Sequence, residues 1–179
     1  MKILVLYGSS RRNGNSEALA DHLTRGLECT RIYLADKKIT PIVDKRHAPE
    51  GFSPVDDDQD EIVRQLLAHD IIIFATPLYW YGMSGQMKLF VDRWSQSLRD
   101  TRYDFKNGMA GKKAIAVIAG GDNPRIKALP LVQQFQYIFT FMGMEFAGYV
   151  LGKGGKPGEV LQDERALGEA DQLRRLLCE

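Results

Sequence analysis

Three short runs, Ile3–Tyr7, Ile71–Ala75 and Lys113–Ala119, constrain the fold of this chain more than any other feature. They lack the polar alternation of a half-exposed strand and are too short for a buried helix, so each reads as a strand covered on both faces. Stripes at helical spacing follow them. Leu19, Leu23 and Leu27 line Glu17–Leu27; Ile62, Val63, Leu66 and Leu67 follow Asp56–Asp58; Met87, Phe90, Val91 and Trp94 share one face of Ser84–Ser97. Leu129–Phe141 reads as an aromatic-rich helix and Val160–Cys178 as a terminal one. Two weaker strands, Thr30–Ala35 and Glu145–Leu151, complete a β-α alternation, with long polar loops at Asp36–Pro54 and Arg99–Gly111. That alternation predicts an α/β fold whose parallel sheet has helices on both faces. With right-handed crossovers, five strands close in the order 2-1-3-4-5. At 179 residues and 44% hydrophobic, residues 1–179 are expected to form a single domain.

Directly after Tyr7 the chain turns from apolar to hydrogen-bonding: Gly8-Ser-Ser-Arg-Arg-Asn-Gly-Asn-Ser16. A strand that feeds such a loop into a helix N-terminus makes an anion site. Backbone N–H groups converge, the helix dipole adds positive potential, and Ser9, Ser10, Arg11, Asn13, Asn15 and Ser16 supply further donors. An ordinary βα turn with Asn15 or Ser16 as N-cap would use the same residues. The loop has neither the Gly-x-Gly-x-x-Gly of a dinucleotide fingerprint nor the Gly-Lys-Ser/Thr of a P-loop, which leaves a pocket suited to one terminal phosphate monoester.

Ligands of open α/β sheets bind beyond the carboxyl ends of the strands where strand order reverses, here between the first and third strands. The third strand leads into Thr76-Pro-Leu-Tyr-Trp-Tyr-Gly82, three consecutive aromatics between a proline and a glycine. Those rings pack under a loop, meet a second copy, or lie against something flat and apolar. A ligand with a planar ring system at one end and a phosphate monoester at the other satisfies both loops, and FMN has that shape.

Together the Gly8–Ser16 loop, Thr76–Gly82 with the following Met87-Lys-Leu-Phe-Val-Asp-Arg-Trp94, and Gly120-Gly121 resemble the NAD(P)H-dependent FMN reductases of the flavodoxin-like superfamily. The resemblance runs from Lys2 to about Leu151 and implies a flavodoxin-like three-layer sandwich. It implies that Ser9, Ser10, Arg11, Asn13, Asn15 and Ser16 hold the FMN phosphate. By the same resemblance Pro77, Leu78, Tyr79, Trp80, Tyr81 and Gly82 line the isoalloxazine, and Gly120, Gly121 and Asp122 close the third side. A carboxylate at Asp122 would disfavour an anionic reduced flavin. Similar proteins include iron–sulfur flavoproteins, whose cluster cysteines fall after the second strand; Thr40–His47 and the residues beyond contain no cysteine, which excludes a cluster.

The resemblance further implies hydride transfer from NADPH or NADH onto FMN and then to a small acceptor such as a quinone, an azo or nitro compound or free flavin, by ping-pong kinetics. No catalytic side chain is required, although Tyr79 or Tyr81 could give a proton to a quinone. Homodimers are common in such a group, with the Met87, Phe90 and Trp94 face or the Phe135–Phe141 helix as the contact. The rival reading is a flavodoxin-type electron carrier, a class commonly strongly acidic. The formal net charge of +1 gives no electrostatic case for nucleic acid or an anionic membrane surface. Two distant cysteines, Cys29 and Cys178, supply neither a disulfide framework nor a metal signature, and Asp56–Asp58 read as helix-start acids rather than metal ligands. Met1 leads straight into the first strand, and no apolar run approaches the ~20 residues of a membrane span, so a cytoplasmic location is expected. His22 and His69 read as helix-surface residues and His47 as a loop residue.

Overall fold

A computed structural model describes residues 1–178, the side chain of Cys178 excepted. Because successive strand residues point to opposite faces, the apolar runs build two cores at once. Leu4, Leu6, Ile72, Phe74, Ala116 and Ile118 face one way, and Ile3, Val5, Ile71, Ile73, Ala75 and Val117 the other. The strands are β1 (Ile3–Tyr7), β2 (Cys29–Tyr33), β3 (Ile71–Pro77), β4 (Lys113–Gly120) and β5 (Glu145–Lys153). All pair in parallel in the order β2-β1-β3-β4-β5, with Ile3 opposite Ile71 and Ile71 opposite Lys113.

Helices α1 (Asn15–Leu23) and α8 (Glu164–Cys178) cover the face of Ile3 and Val5. The opposite face is covered by α2 (Gln59–Ala68), α3 (Gly85–Asp92), α4 (Trp94–Ser97), α5 (Phe105–Met109) and α7 (Leu129–Phe141), with α6 (Pro124–Lys127) leading into α7. At the centre of this second core Phe74 meets Trp94, Phe135 and Phe139 with ring centroids 6.2, 5.9 and 4.9 Å away. Met87, Phe90 and Trp94 are therefore core residues of the chain and are removed from any contact surface.

Where element bounds differ from those the sequence predicts, a local interaction accounts for the change. Helix α1 starts at Asn15 with Gly14 as N-cap, so neither Asn15 nor Ser16 caps it. It stops at Leu23, where Thr24 bonds back to the Ala20 carbonyl at 2.9 Å and Gly26 takes a left-handed φ of 80°. Strand β2 gives way to a 3₁₀ turn at Leu34–Asp36. The predicted helix Ser84–Ser97 is two helices: Ser84 caps the first by accepting from the Met87 amide at 3.2 Å, and the break falls at buried Arg93. The stretch read as polar loop at 99–111 contains α5, capped by Asp104, because Phe105 and Met109 reach the core. The terminal segment opens with a 3₁₀ turn, Glu159–Gln162, before α8.

Two surface readings are corrected. His69 is buried, with Nδ1 2.6 Å from the Gln65 carbonyl and Nε2 2.7 Å from the Thr30 hydroxyl. His22 is half-covered, 3.0 Å from Asp171 of α8. Two of the three acids before α2, Asp57 and Asp58, hold the 37–58 loop rather than merely facing the helix dipole. Asp57 accepts from the amides of Thr40 and Gln59 and pairs with Arg93 at 2.6 Å, both side chains almost fully buried; Asp58 accepts from the Lys38 amide.

Candidate functional site

The carboxyl ends of β1, β3, β4 and β5 bring four loops together at the point where strand order reverses. From β1 comes the Gly8–Gly14 loop. Gly8 donates to the Ala75 carbonyl at 2.8 Å, and its own carbonyl accepts from the Ser84 hydroxyl, which ties the loop to the start of α3. A Cβ on Gly8 would lie 2.9 Å from Ser84 Oγ and 3.0 Å from Met87, so this close approach requires glycine. The Ser9 hydroxyl accepts from the Arg11 amide at 3.0 Å, and Asn13, at a left-handed φ of 55°, donates its amide to Glu17 at 2.6 Å. No side chain caps α1, so its first amides remain available at the mouth of the loop.

The β3 loop makes a tight turn. Tyr79 and Gly82 exchange two backbone bonds, 3.0 and 2.9 Å, around Trp80 and Tyr81, whose φ values are 47° and 62°. Two consecutive left-handed residues define a type I′ turn, which favours Asn-Gly; aromatic residues there store strain of about 1–3 kcal/mol each. Strain of this kind is a mark of functional segments. Trp80 is 97% exposed at the tip, with Tyr79 and Tyr81 about half exposed beside it. Tyr81 donates to Asp122 at 3.0 Å, and Lys127 donates to the same carboxylate oxygen. Lys127, then Tyr81, hold the Asp122 carboxyl below its usual range. Asp122 is therefore paired.

A cavity of about 160 Å³ joins these loops. The structure brings Ser9, Arg11, Asn15 and Ser16 together with Pro77, Leu78 and Tyr79 and with Gly120 and Gly121 around it. The remaining predicted positions lie off its wall. Ser10 and Asn13 face outward on the first loop, Trp80, Tyr81 and Gly82 form the protruding turn, and Asp122 sits on the rim. Asn15 is partly committed: its carboxamide donates to the Lys156 carbonyl at 2.9 Å and accepts from the Val160 amide at 3.3 Å. Arg12 turns away from the loop, stacks 3.3 Å over the Tyr33 ring and pairs with Asp36, leaving Arg11 as its cation at the cavity.

Sequence reasoning missed the fourth wall, Gly154 and Gly155, which follows β5. Gly154 donates to the Gly120 carbonyl at 3.0 Å, and a Cβ on it would lie 2.8 Å from Asn15 Nδ2. The signal was present as Gly152-Lys-Gly-Gly155, directly after a strand. The donor set suits FMN. Hydroxyls, an arginine and uncapped helix amides match a phosphate, while Pro77, Leu78 and a glycine-lined cleft leave room for a flat ring approached by backbone.

Comparison with known proteins agrees with this fold. The family model described as flavodoxin-like fold matches residues 1–176. A Bacillus subtilis protein carrying the provisional name NAD(P)H-dependent FMN-containing oxidoreductase YwqN is 54% identical over 97% of this chain and 96% of its own. An iron–sulfur flavoprotein of Methanocaldococcus jannaschii is 30% identical over 100% and 96%. A solved structure described as a Trp repressor binding protein from Bacillus subtilis superposes with a TM-score of 0.82 at 50% identity, covering 96% of this chain and 99% of that one. The chain belongs to the flavodoxin-like fold family, in the group that includes YwqN and the iron–sulfur flavoproteins.

Proposed function

We propose that this chain is an FMN-dependent NAD(P)H oxidoreductase acting as one FMN-binding domain, reducing a small acceptor: a quinone, an azo or nitro compound, or free flavin. The observation that carries this reading is the cavity that joins the uncapped α1 N-terminus to the Pro77–Tyr79 and Gly120–Gly121 walls. The name of YwqN supports both the cofactor and the nicotinamide donor. FMN, when bound, supplies the hydride relay between donor and acceptor. The chain supplies position. Ser9, Arg11, Ser16 and the first α1 amides bind the phosphate, with Asn15 beside it, while Ser10 and Asn13 lie outside. Pro77, Leu78 and Tyr79 support one side of the ring, and Gly120 and Gly121 allow close approach on the other. Trp80 and Tyr81 shelter the open face, with Tyr81 held by Asp122.

One open face receives donor and acceptor in turn, which gives ping-pong kinetics. No side-chain nucleophile takes part. Iron–sulfur chemistry is not retained from the M. jannaschii relative, because the 37–58 loop carries no cysteine and is held instead by the Asp57–Arg93 pair. Pairing into a homodimer would use the exposed Tyr137 and Phe141 of α7. Among the described residues no helix is long and apolar enough to cross a membrane. A cytoplasmic setting fits the free thiol of Cys29.

Anaerobic mixing of FMN-loaded protein with NADPH or NADH tests the reading. It predicts bleaching of the visible flavin band, then parallel double-reciprocal lines on adding a quinone. A bound flavin that neither nucleotide bleaches would identify an electron carrier instead.

A further inference from the structure

Beside the cofactor cavity lies a second one of about 460 Å³, separated from it by a thin wall of Gly121, Gly154 and Gly155. Arg125 of α6, Lys153 at the end of β5 and Gln162 line it, together with Glu159 and Asp163. The charge count is balanced, but the charges are not equivalent. Asp163 accepts from Arg125 at 2.5 Å and from the amides of Lys153 and Ala166 at 2.8 and 3.2 Å. Glu159 accepts from the amides of Gly155 and Lys156 at 2.8 and 2.9 Å. Asp163 is thus engaged by α6, β5 and its own segment, and Glu159 by its own loop. Apart from Glu159 Oε1, the unspent groups are donors. Arg125 pairs with Asp163 through Nη2 alone and its side chain is 27% exposed, and the Lys153 ammonium has no carboxylate partner among the described residues.

A guanidinium fixed by a buried carboxylate beside a free ammonium is a receptor for a phosphate dianion. The cofactor needs no second such receptor, because its single phosphate is matched by the α1 loop. The cavity lies on the same sheet edge as the flavin cleft, within reach of a long second substrate.

We propose that this cavity seats the 2′-phosphate end of NADPH and makes the chain selective for NADPH over NADH. The inference rests on the preceding reading that a nicotinamide nucleotide is the donor. The exposed end of the Arg125 guanidinium and Lys153 bind the phosphate, Gln162 offers an amide to the adjoining ribose, and Asp163 positions Arg125.

Calorimetric titration of FMN-saturated protein with 2′,5′-ADP, 5′-AMP and inorganic phosphate tests it. The expected result is that 2′,5′-ADP binds at least about tenfold tighter than 5′-AMP, as for hydrogen bonds to a charged group. Lys153→Ala, at an exposed side chain, should cut that advantage by about fivefold, the upper range for an exposed charge pair, and leave FMN affinity unchanged. Arg125→Lys, which keeps a cation for Asp163 but removes the planar guanidinium fork, should act in the same direction. Equal binding of 2′,5′-ADP and 5′-AMP overturns the proposal, as does a Lys153→Ala variant that keeps the full advantage. Inorganic phosphate binding as tightly as 2′,5′-ADP would make this a free-anion site, and loss of FMN affinity in Lys153→Ala would return the cavity to the cofactor. Either result also overturns it. Flavin bleaching by NADPH and NADH at equal concentrations would reject the selectivity while leaving the oxidoreductase reading intact; bleaching by neither rejects that reading itself.

Discussion

Arg93→Met tests how the long 37–58 loop is held. Arg93 is 2% exposed, yet it donates to Asp57 at 2.6 Å, to the Thr40 carbonyl at 2.8 Å and to Gln96 at 3.0 Å, so one guanidinium joins both ends of the loop to α4. Methionine fills the volume of the side chain but leaves the Asp57 carboxylate buried without its cation. Breaking a buried pair costs about 3–5 kcal/mol. Asp57 keeps the amides of Thr40 and Gln59 as donors, so the lower end, about 3 kcal/mol, is expected here. For a chain of this size that is a fall of roughly 6–12 °C in Tm. Urea denaturation of Arg93→Met, Asp57→Asn and the double variant completes a cycle. Asparagine removes the orphaned charge while keeping an acceptor for Thr40, so the double variant should be more stable than the sum of the single losses by at least about 1 kcal/mol. A single-variant loss under 1 kcal/mol, or strictly additive losses, would refute the argument that this pair holds the loop.

Arg11→Ala should weaken FMN binding by about 1.5–3 kcal/mol, read from quenching of flavin fluorescence; unchanged affinity would remove Arg11 from the phosphate site. Replacing Trp80-Tyr81 by Asn-Gly supplies the residues a type I′ turn favours, so the fold should gain about 2–6 kcal/mol, less what the lost Tyr81–Asp122 bond contributes, while flavin reduction slows. Equal or lower stability would show that the turn is unstrained. For Asp57 and Asp163, burial pushes the carboxyl up but is outweighed, at Asp57 by Arg93 and two amides and at Asp163 by Arg125 and two amides, so both sit below the usual range. A depressed folded value means their stabilisation is complete above the ordinary carboxylate pKa of about 4 and is lost as pH falls through the lower folded values. Urea midpoints should be flat in this respect above about pH 5 and drop below 4, less steeply in Asp57→Asn; an equal drop in that variant would exclude Asp57.

The sheet order and the two switch-point loops were legible because their cause is local: apolar runs buried on both faces, separated by amphipathic stripes. What escaped depended on distant partners. Nothing in the sequence near Arg93 announces that its side chain turns inward, because its partners stand at Thr40 and Asp57. The polarity of residues 99–111 concealed α5, whose two buried residues, Phe105 and Met109, are too few to make a stripe. Within the site, Arg11 and Arg12 are equivalent in sequence, and only the Tyr33 ring and Asp36 decide which one leaves. The aromatic run was visible, but its positive φ values were not, since Trp-Tyr is a poor predictor of a type I′ turn. Gly154 and Gly155 went unread because the sequence offered no ligand for a loop after the edge strand.

The central claim, that one cavity holds a phosphate at the α1 N-terminus and a flavin ring across the β3 and β4 loops, is tested most directly by comparing FMN with riboflavin on the flavin-free protein. Riboflavin keeps the ring and loses the phosphate. Two or more charge-assisted hydrogen bonds of about 1.5 kcal/mol each predict FMN binding at least about a hundredfold tighter, and Arg11→Ala should narrow the gap. Equal affinities would contradict the assignment of the Gly8–Ser16 loop as the phosphate site.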